Sequence, residues 1–285
     1  MIGKYFRLLR IHHYVKNILV MAALGCSGKM FDDGKFFHAL IGFTLFCMTS
    51  SAIYIINDIR DIESDKNHPV KCRRPLASGE VSVKSAIIIA SVLVTGAVVI
   101  SLYMFGVKPS LLPILYIAVN IAYSAGLKNI PILDIAILVS GFIMRLLYGA
   151  LITEIEISHW LYLSIMAMAF YLALGKRRNE LRMSLNTREV LNFYTESFLD
   201  KNMYVCLALA NVFYALWSVD ENTVSHYNSR YLIFTVPVVF LICMKYSLDV
   251  ERSSNGDPAE VLFSDKTLLL LCVLYLSSMF SILYL

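Results

Sequence analysis

The chain has 285 residues, of which 58% are hydrophobic and only 16% charged, with a mean hydropathy of +0.66. So apolar a composition excludes a soluble domain of this length and makes the bilayer the solvent in which the fold has to be explained. The net charge of +4 reflects where the basic residues sit along the chain and is no argument for nucleic-acid binding.

A membrane-crossing helix needs about 20 mostly apolar residues, and nine such stretches start near Tyr14, Lys35, Lys84, Ser110, Pro131, Ser158, Lys201, Arg230 and Lys266. These stretches are too long for barrel strands, and lipid forces backbone polar groups to be satisfied within each segment. The expected fold is therefore an all-α integral membrane protein, a bundle of about nine transmembrane helices forming a single domain over residues 1–285. Lys4, Arg7 and Arg10 interrupt the first ten residues and no convincing cleavage site follows Asn17, so the first span is expected to be retained. Sorting lysines and arginines by the loops these spans define puts 20 of the 25 on one side. Lys29, Lys35, Lys108 and Arg230 fall on the other, and Arg145 lies inside a span. The positive-inside rule then places the N-terminus and two long charged loops, residues 57–83 and 175–200, on the cytoplasmic face of a cell (inner) membrane. The six cysteines show no CxxC spacing and read as small packing residues.

The second span runs without a break into Asn57-Asp58-Ile59-Arg60-Asp61-Ile62-Glu63-Ser64-Asp65. At about 100° per residue, Asn57, Asp58, Asp61 and Asp65 fall within roughly a 100° arc, while Arg60 and Glu63 point elsewhere. Four oxygen donors on one face suit Mg²⁺, which is commonly held by one or two carboxylates together with substrate phosphates. Asp58 and Asp61 are the candidate catalytic residues within this metal set. A cluster of acids can equally be a solvated helix end, but here a basic run follows within the same loop: Lys71, Arg73 and Arg74, then Pro75. A phosphorylated ligand carried with a metal requires both. His68 reads as a loop hydrogen-bonding residue.

Further along, Asp134 opens the fifth span and Arg145 lies within it, eleven residues on, so the two share a helix face. A charge inside a span costs about 2.5–3.5 kcal/mol even on insertion scales and usually faces a polar cavity. Pairing with an acid such as Asp134 is the structural alternative. The sixth span ends in Gly175-Lys176-Arg177-Arg178-Asn179-Glu180, three consecutive cations with a single acid. Ser253 to Pro258 marks a polar loop before the last span. Tyr54 and Tyr123 are candidate substrate contacts that also read as interfacial aromatics.

The NDxxDxxxD pattern filled by Asn57, Asp58, Asp61 and Asp65, with the basic Arg-Pro loop after it, resembles the UbiA superfamily of membrane prenyltransferases. The Lys16-Asn17 pair suits the same superfamily, and the likeness extends over essentially the whole chain. It implies a Mg²⁺-bound diphosphate at the cytoplasmic mouth of a helical bundle and a lipid tail in a groove open to the membrane. The usual second aspartate-rich motif after the sixth span is missing. The Gly-Lys-Arg-x-x-Glu-Leu form in its place is similar to one branch, the polyprenyl-phosphate (decaprenyl-type) phosphoribosyltransferases. So are Tyr123 to Lys128, Asp134, Arg145 and Asp257-Pro258-Ala259-Glu260.

This resemblance implies transfer of 5-phosphoribose from 5-phosphoribose 1-diphosphate to a polyprenyl phosphate, releasing diphosphate. The substrate-binding candidates are Lys16, Tyr54, Lys71, Arg73, Arg74, Tyr123, Lys128, Asp134, Arg145, Lys176, Arg177 and Glu180. The lipid phosphate is already anionic, so positioning and charge stabilisation carry the reaction and no strong general base is needed. The alternative is a prenyltransferase moving an isoprenoid from its diphosphate to a small acceptor, which would carry aspartates where Lys176 to Glu180 stand. A lipid or ion transporter would explain Arg145 but not the acidic motif. The residues do not fix lipid chain length or oligomeric state.

Overall fold

The computed structural model describes residues 3–32, 34–67, 69–183, 189–252, 261–262 and 264–284, and among these no residue lies in a strand. His68, the loop Ser253 to Pro258 and the segment Asp257 to Glu260, all singled out in the sequence, lie outside the described residues. Helices α1 (Gly3–Leu9), α2 (Leu19–Gly25), α3 (Lys35–Arg60), α4 (Ile62–Lys66), α5 (Val83–Phe105), α6 (Val107–Ala125) and α7 (Leu133–Thr153) are followed by α8 (His159–Arg182), α9 (Glu196–Val219), α10 (Glu221–Tyr227), α11 (Val236–Arg252) and α12 (Lys266–Tyr284). Short 3-10 turns link several of them.

Seven segments among the described residues are long and apolar enough to cross a membrane: α3, α5, α6, α7, α9, Tyr231–Glu251 and α12. The expectation of nine differs at two places, each for a physical reason. The first stretch starts as the eight-residue 3-10 helix Ile11–Ile18 and continues as the seven-residue α2. Neither piece reaches the about 20 residues a span requires. The sixth stretch is one continuous 24-residue helix, α8, but its last turns carry Lys176, Arg177, Arg178, Glu180 and Arg182.

The chain divides into two compact units. Unit 1 contains residues 1–24, 30–125 and 144–155, and therefore α1, α3 to α6 and the second half of α7. In it α3 packs against α5, α6, α1 and the Ile11–Ile18 turn. Phe46 and Ile53 of α3 join Val20, Tyr116, Met144, Tyr148 and Ile152 in one apolar cluster. A second cluster sets Leu8, Leu76 and Val81 against Ala52 and Ile55, which pins the basic loop and α1 onto the polar end of α3. With 26 residues α3 is about 39 Å long, against about 30 Å of hydrocarbon, so its polar last turns reach past the apolar layer. Gly149 permits the closest packing in this unit: a Cβ there would lie 1.8 Å from the carbonyl oxygen of Val20.

Unit 2 contains residues 25–29, 126–143 and 156–285. Its main contact is α8 against α9, with α11 against α12 and α9 beside them. Thr195 caps α9 by accepting the Phe198 N–H, and Asp220 caps α10 by accepting from Thr223. The core gathers Ile135 and Val139 of α7, Tyr171 and Leu174 of α8, Leu199 and Met203 of α9, and Val190, Leu191 and Tyr194 of the segment before α9. Leu270, Val273, Leu274 and Leu276 of α12 are exposed, as suits a lipid-facing helix.

Candidate active site

The acidic motif straddles a bend. Helix α3 ends at Arg60, Asp61 takes φ −94° and ψ 6°, and α4 starts at Ile62. The hydrogen-bond ladder nevertheless runs through, with Asp61 N–H on the Asn57 carbonyl at 3.0 Å and Asp65 N–H on the Asp61 carbonyl at 2.8 Å. Helical register is thus kept across the break. The structure brings Asp58 and Asp65 to one point: the Arg74 Nη1 donates to Asp58 Oδ1 at 3.1 Å and to Asp65 Oδ2 at 2.6 Å. Both acids are 3% exposed. Asn57 Oδ1 accepts the Ser124 hydroxyl at 2.6 Å. Asp61 is half-buried at the bend and joins neither ion pair.

Arg10 is a member of this cluster that sequence reasoning treated only as a topological charge. Its Nη2 donates to Asp58 Oδ1 at 2.5 Å, and its guanidinium carbon stands 4.9 Å from the Tyr54 ring centroid. Contact across 48 residues leaves no trace in spacing. Arg74 is held by its loop, in which its own N–H bonds the Lys71 carbonyl at 2.9 Å and its carbonyl accepts from Ser78 at 2.9 Å. Lys71 is half-buried and Arg73 exposed beside it.

The donor set can be tested against the metal that the motif implies. Among the described residues no group of three or more His, Cys, Asp and Glu is placed to hold an ion. What converges is a pair of carboxylates, with Asn57 next to Asp58 in the chain. Mg²⁺ takes hard oxygen ligands and is often held by only one or two carboxylates, the rest of its octahedron being water and phosphate. Asp58 and Asp65 fit that requirement.

Arg145 is 5% exposed and belongs to unit 1. Its Nε donates to Asn17 Oδ1 at 2.7 Å and its Nη2 to the Tyr116 hydroxyl at 3.1 Å, and its guanidinium lies 4.9 Å from both the Phe46 and Tyr116 ring centroids. Asn17 in turn donates to Ser50 at 3.0 Å. Lys16, Tyr54 and Tyr123 are half-buried in the same unit.

In unit 2 the cationic end of α8 is tied down by acids. Arg177 has no exposed surface; its Nε donates to Asp134 Oδ2 at 2.5 Å and its Nη1 to Glu180 at 2.6 Å. The Tyr194 hydroxyl donates to Asp134 Oδ1 at 2.5 Å and accepts the Ile132 N–H at 2.7 Å. Burial, reinforced by the hydrogen bond to Asp134, pushes the Tyr194 hydroxyl up to about 12. Arg178 pairs with Asp200 of α9, while Lys176, Glu180 and Lys128 are half-buried. Asp134 and Arg145, which share a face of α7, therefore have separate partners: Asp134 turns to Arg177 and Tyr194, Arg145 to Asn17 and Tyr116.

A polytopic α-helical membrane protein, with an acidic helix end suited to a metal-borne phosphate and a buried ion-pair network at the foot of a second helix, is the class these features define. The chain belongs to the UbiA prenyltransferase family, whose model matches residues 18–264. It is 35% identical to the decaprenyl-phosphate phosphoribosyltransferase of Corynebacterium glutamicum over 93% of this chain and 82% of that protein. It is 30% identical to the Mycolicibacterium smegmatis protein of the same name over 100% of this chain and 93% of that one. Its fold is shared by a UbiA homolog from Archaeoglobus fulgidus solved with GPP and Mg²⁺, at a TM-score of 0.72 and 17% identity, covering 98% of this chain and 99% of that one.

Proposed function

We propose that this chain is a transferase that moves 5-phosphoribose from 5-phosphoribose 1-diphosphate onto a polyprenyl phosphate and releases diphosphate. The observation that carries the reading is the likeness, over nearly the full length of both chains, to proteins named for that activity. The charged residues supply its chemistry. Asp58 and Asp65, with Asn57 and Asp61 of the same segment, would hold Mg²⁺. When bound, the ion supplies neutralisation of the negative charge that grows on the departing diphosphate.

The chain's own groups do the remaining work. Lys71, Arg73 and Arg74 take phosphate oxygens of the donor, the arginines as planar two-pronged donors. Lys176 and Lys128 are phosphate-binding candidates of unit 2, and Arg177, locked on Asp134 and Glu180, fixes the helix end from which Lys176 projects. Arg145 with its partner Asn17, Lys16 next to Asn17 in the chain, and Tyr54 and Tyr123 shape the unit 1 binding surface. The acceptor phosphate is ionised near pH 7, so it attacks the anomeric carbon directly, the carbon–oxygen bond to diphosphate breaks, and no side chain has to abstract a proton.

The two units act as one catalytic domain, a reading supported by the family model's match across parts of both. We take α8 and the Ile11–Ile18 turn with α2 as the two further membrane elements beyond the seven apolar helices. The charge asymmetry supports a cytoplasmic N-terminus and a cytoplasmic active site in the inner membrane. Isoprenoid transfer to a small acceptor is disfavoured by the cations at Lys176 to Arg178, where acids would hold a second metal. Purified protein should release diphosphate from the ribosyl donor only with polyprenyl phosphate and Mg²⁺ both present. Asp61→Asn and Lys176→Ala should each lose most of that activity; full activity in either variant removes that residue from the site.

A further inference from the structure

Two cations share one carboxylate oxygen, Asp58 Oδ1. Arg74 meets Asp58 at 3.1 Å and Asp65 at 2.6 Å through one atom, Nη1, while Arg10 takes the same Asp58 oxygen at 2.5 Å. The cluster is charge-balanced, two buried acids against two guanidiniums. A divalent ion bridged by those same two oxygens, Asp58 Oδ1 and Asp65 Oδ2, would stand where Arg74 Nη1 stands. The two arginines differ in how they are held. Arg10 has left-handed backbone at φ 54° and ψ 49°, lies against the Tyr54 ring and pairs with Asp58. Arg74 sits on a polar loop just after Lys71 and Arg73, its side chain 28% exposed, and bridges both acids.

We propose that Arg74 is an exchangeable counter-ion of the metal site. It holds Asp58 and Asp65 close together, then yields them to a divalent metal and pairs with the diphosphate that the metal carries; Arg10 stays on Asp58 as a positioning residue. The proposal rests on the Mg²⁺–diphosphate reading of the acidic segment. A metal arriving alone meets an unscreened guanidinium at its binding point, and like charges repel. A metal arriving with diphosphate brings the anion that Arg74 needs, in a geometry its fork matches as well as it matches carboxylate. Metal and diphosphate therefore bind cooperatively, and Arg74 is the coupling element.

The test measures protein-bound Mn²⁺ by equilibrium dialysis at fixed free Mn²⁺, on the full chain in detergent, with and without inorganic diphosphate. In the wild type, diphosphate should tighten Mn²⁺ binding by about tenfold, within the usual range of coupled sites. Arg74→Gln should bind Mn²⁺ several-fold more tightly than wild type without diphosphate and lose most of the coupling. Arg74→Lys keeps a cation at the point and should retain weak metal binding without diphosphate, and Arg10→Gln should retain the coupling. The exchange is overturned if Arg74→Gln binds Mn²⁺ no more tightly than wild type, or, should that variant not fold, if wild type shows no coupling. A wild type that binds no Mn²⁺ even with diphosphate overturns the metal reading itself, and the exchange with it.

Discussion

Arg177 is a fully buried cation whose fork is occupied by Asp134 and Glu180. Breaking such a pair strands a charge away from water, at a cost of about 3–5 kcal/mol. Asp134→Ala, which strands Arg177 and also frees the Tyr194 hydroxyl, should lower unfolding stability in detergent by that amount. Glu180 is the more exposed partner, 18% at its side chain, and Glu180→Ala should cost about 1 kcal/mol or less. Tyr194 adds a pH signature. Its hydroxyl is raised from 10 to about 12, so the stability it contributes is fully present below pH 10 and is lost as pH rises through about 12. The thermal-stability gap between wild type and Tyr194→Phe should therefore hold steady up to about pH 10 and close above it. A gap unchanged at pH 12 would remove the Tyr194–Asp134 hydrogen bond from this account. At this scale the sequence makes Asn57, Asp58 and Asp65 legible, because period and composition are local. Arg10 and Tyr194 escape it, since each meets its acid across 48 and 60 residues.

Helix α7 shows how an element carries a buried cation into place. Gly149 lets its second half approach the chain at Val20, and one turn earlier Arg145 reaches Asn17 at 2.7 Å. Gly149→Ala sets a methyl against the Val20 carbonyl and should destabilise the protein by about 1–3 kcal/mol. It should also weaken the Arg145–Asn17 bond. Loss of activity with unchanged stability would contradict this packing role. Apolar length read most of the spans correctly because hydropathy and helix length are set by the same bilayer thickness. It could not foresee the first stretch, where the chain enters a 3-10 helix through left-handed Arg10. It also could not foresee that the acidic motif bends at Asp61 while keeping helical register.

Across the whole molecule, charge is distributed to a purpose in each unit. Unit 1 gathers acids at the end of α3 and answers them with arginines from two separate segments; unit 2 gathers cations at the end of α8 and answers them with Asp134, Glu180 and Asp200. The proposed cytoplasmic orientation predicts that a cysteine introduced at Arg73, which is exposed, is labelled by an impermeant thiol reagent only after cells are opened. The substrate pair is the central claim. Mass spectrometry of the lipid formed from labelled 5-phosphoribose 1-diphosphate and a polyprenyl phosphate tests it most directly. The wild type should make a polyprenyl-phosphate-linked 5-phosphoribose that Asp61→Asn does not; an absent phosphoribosyl lipid, with prenylation of another acceptor instead, would rule the substrate pair out.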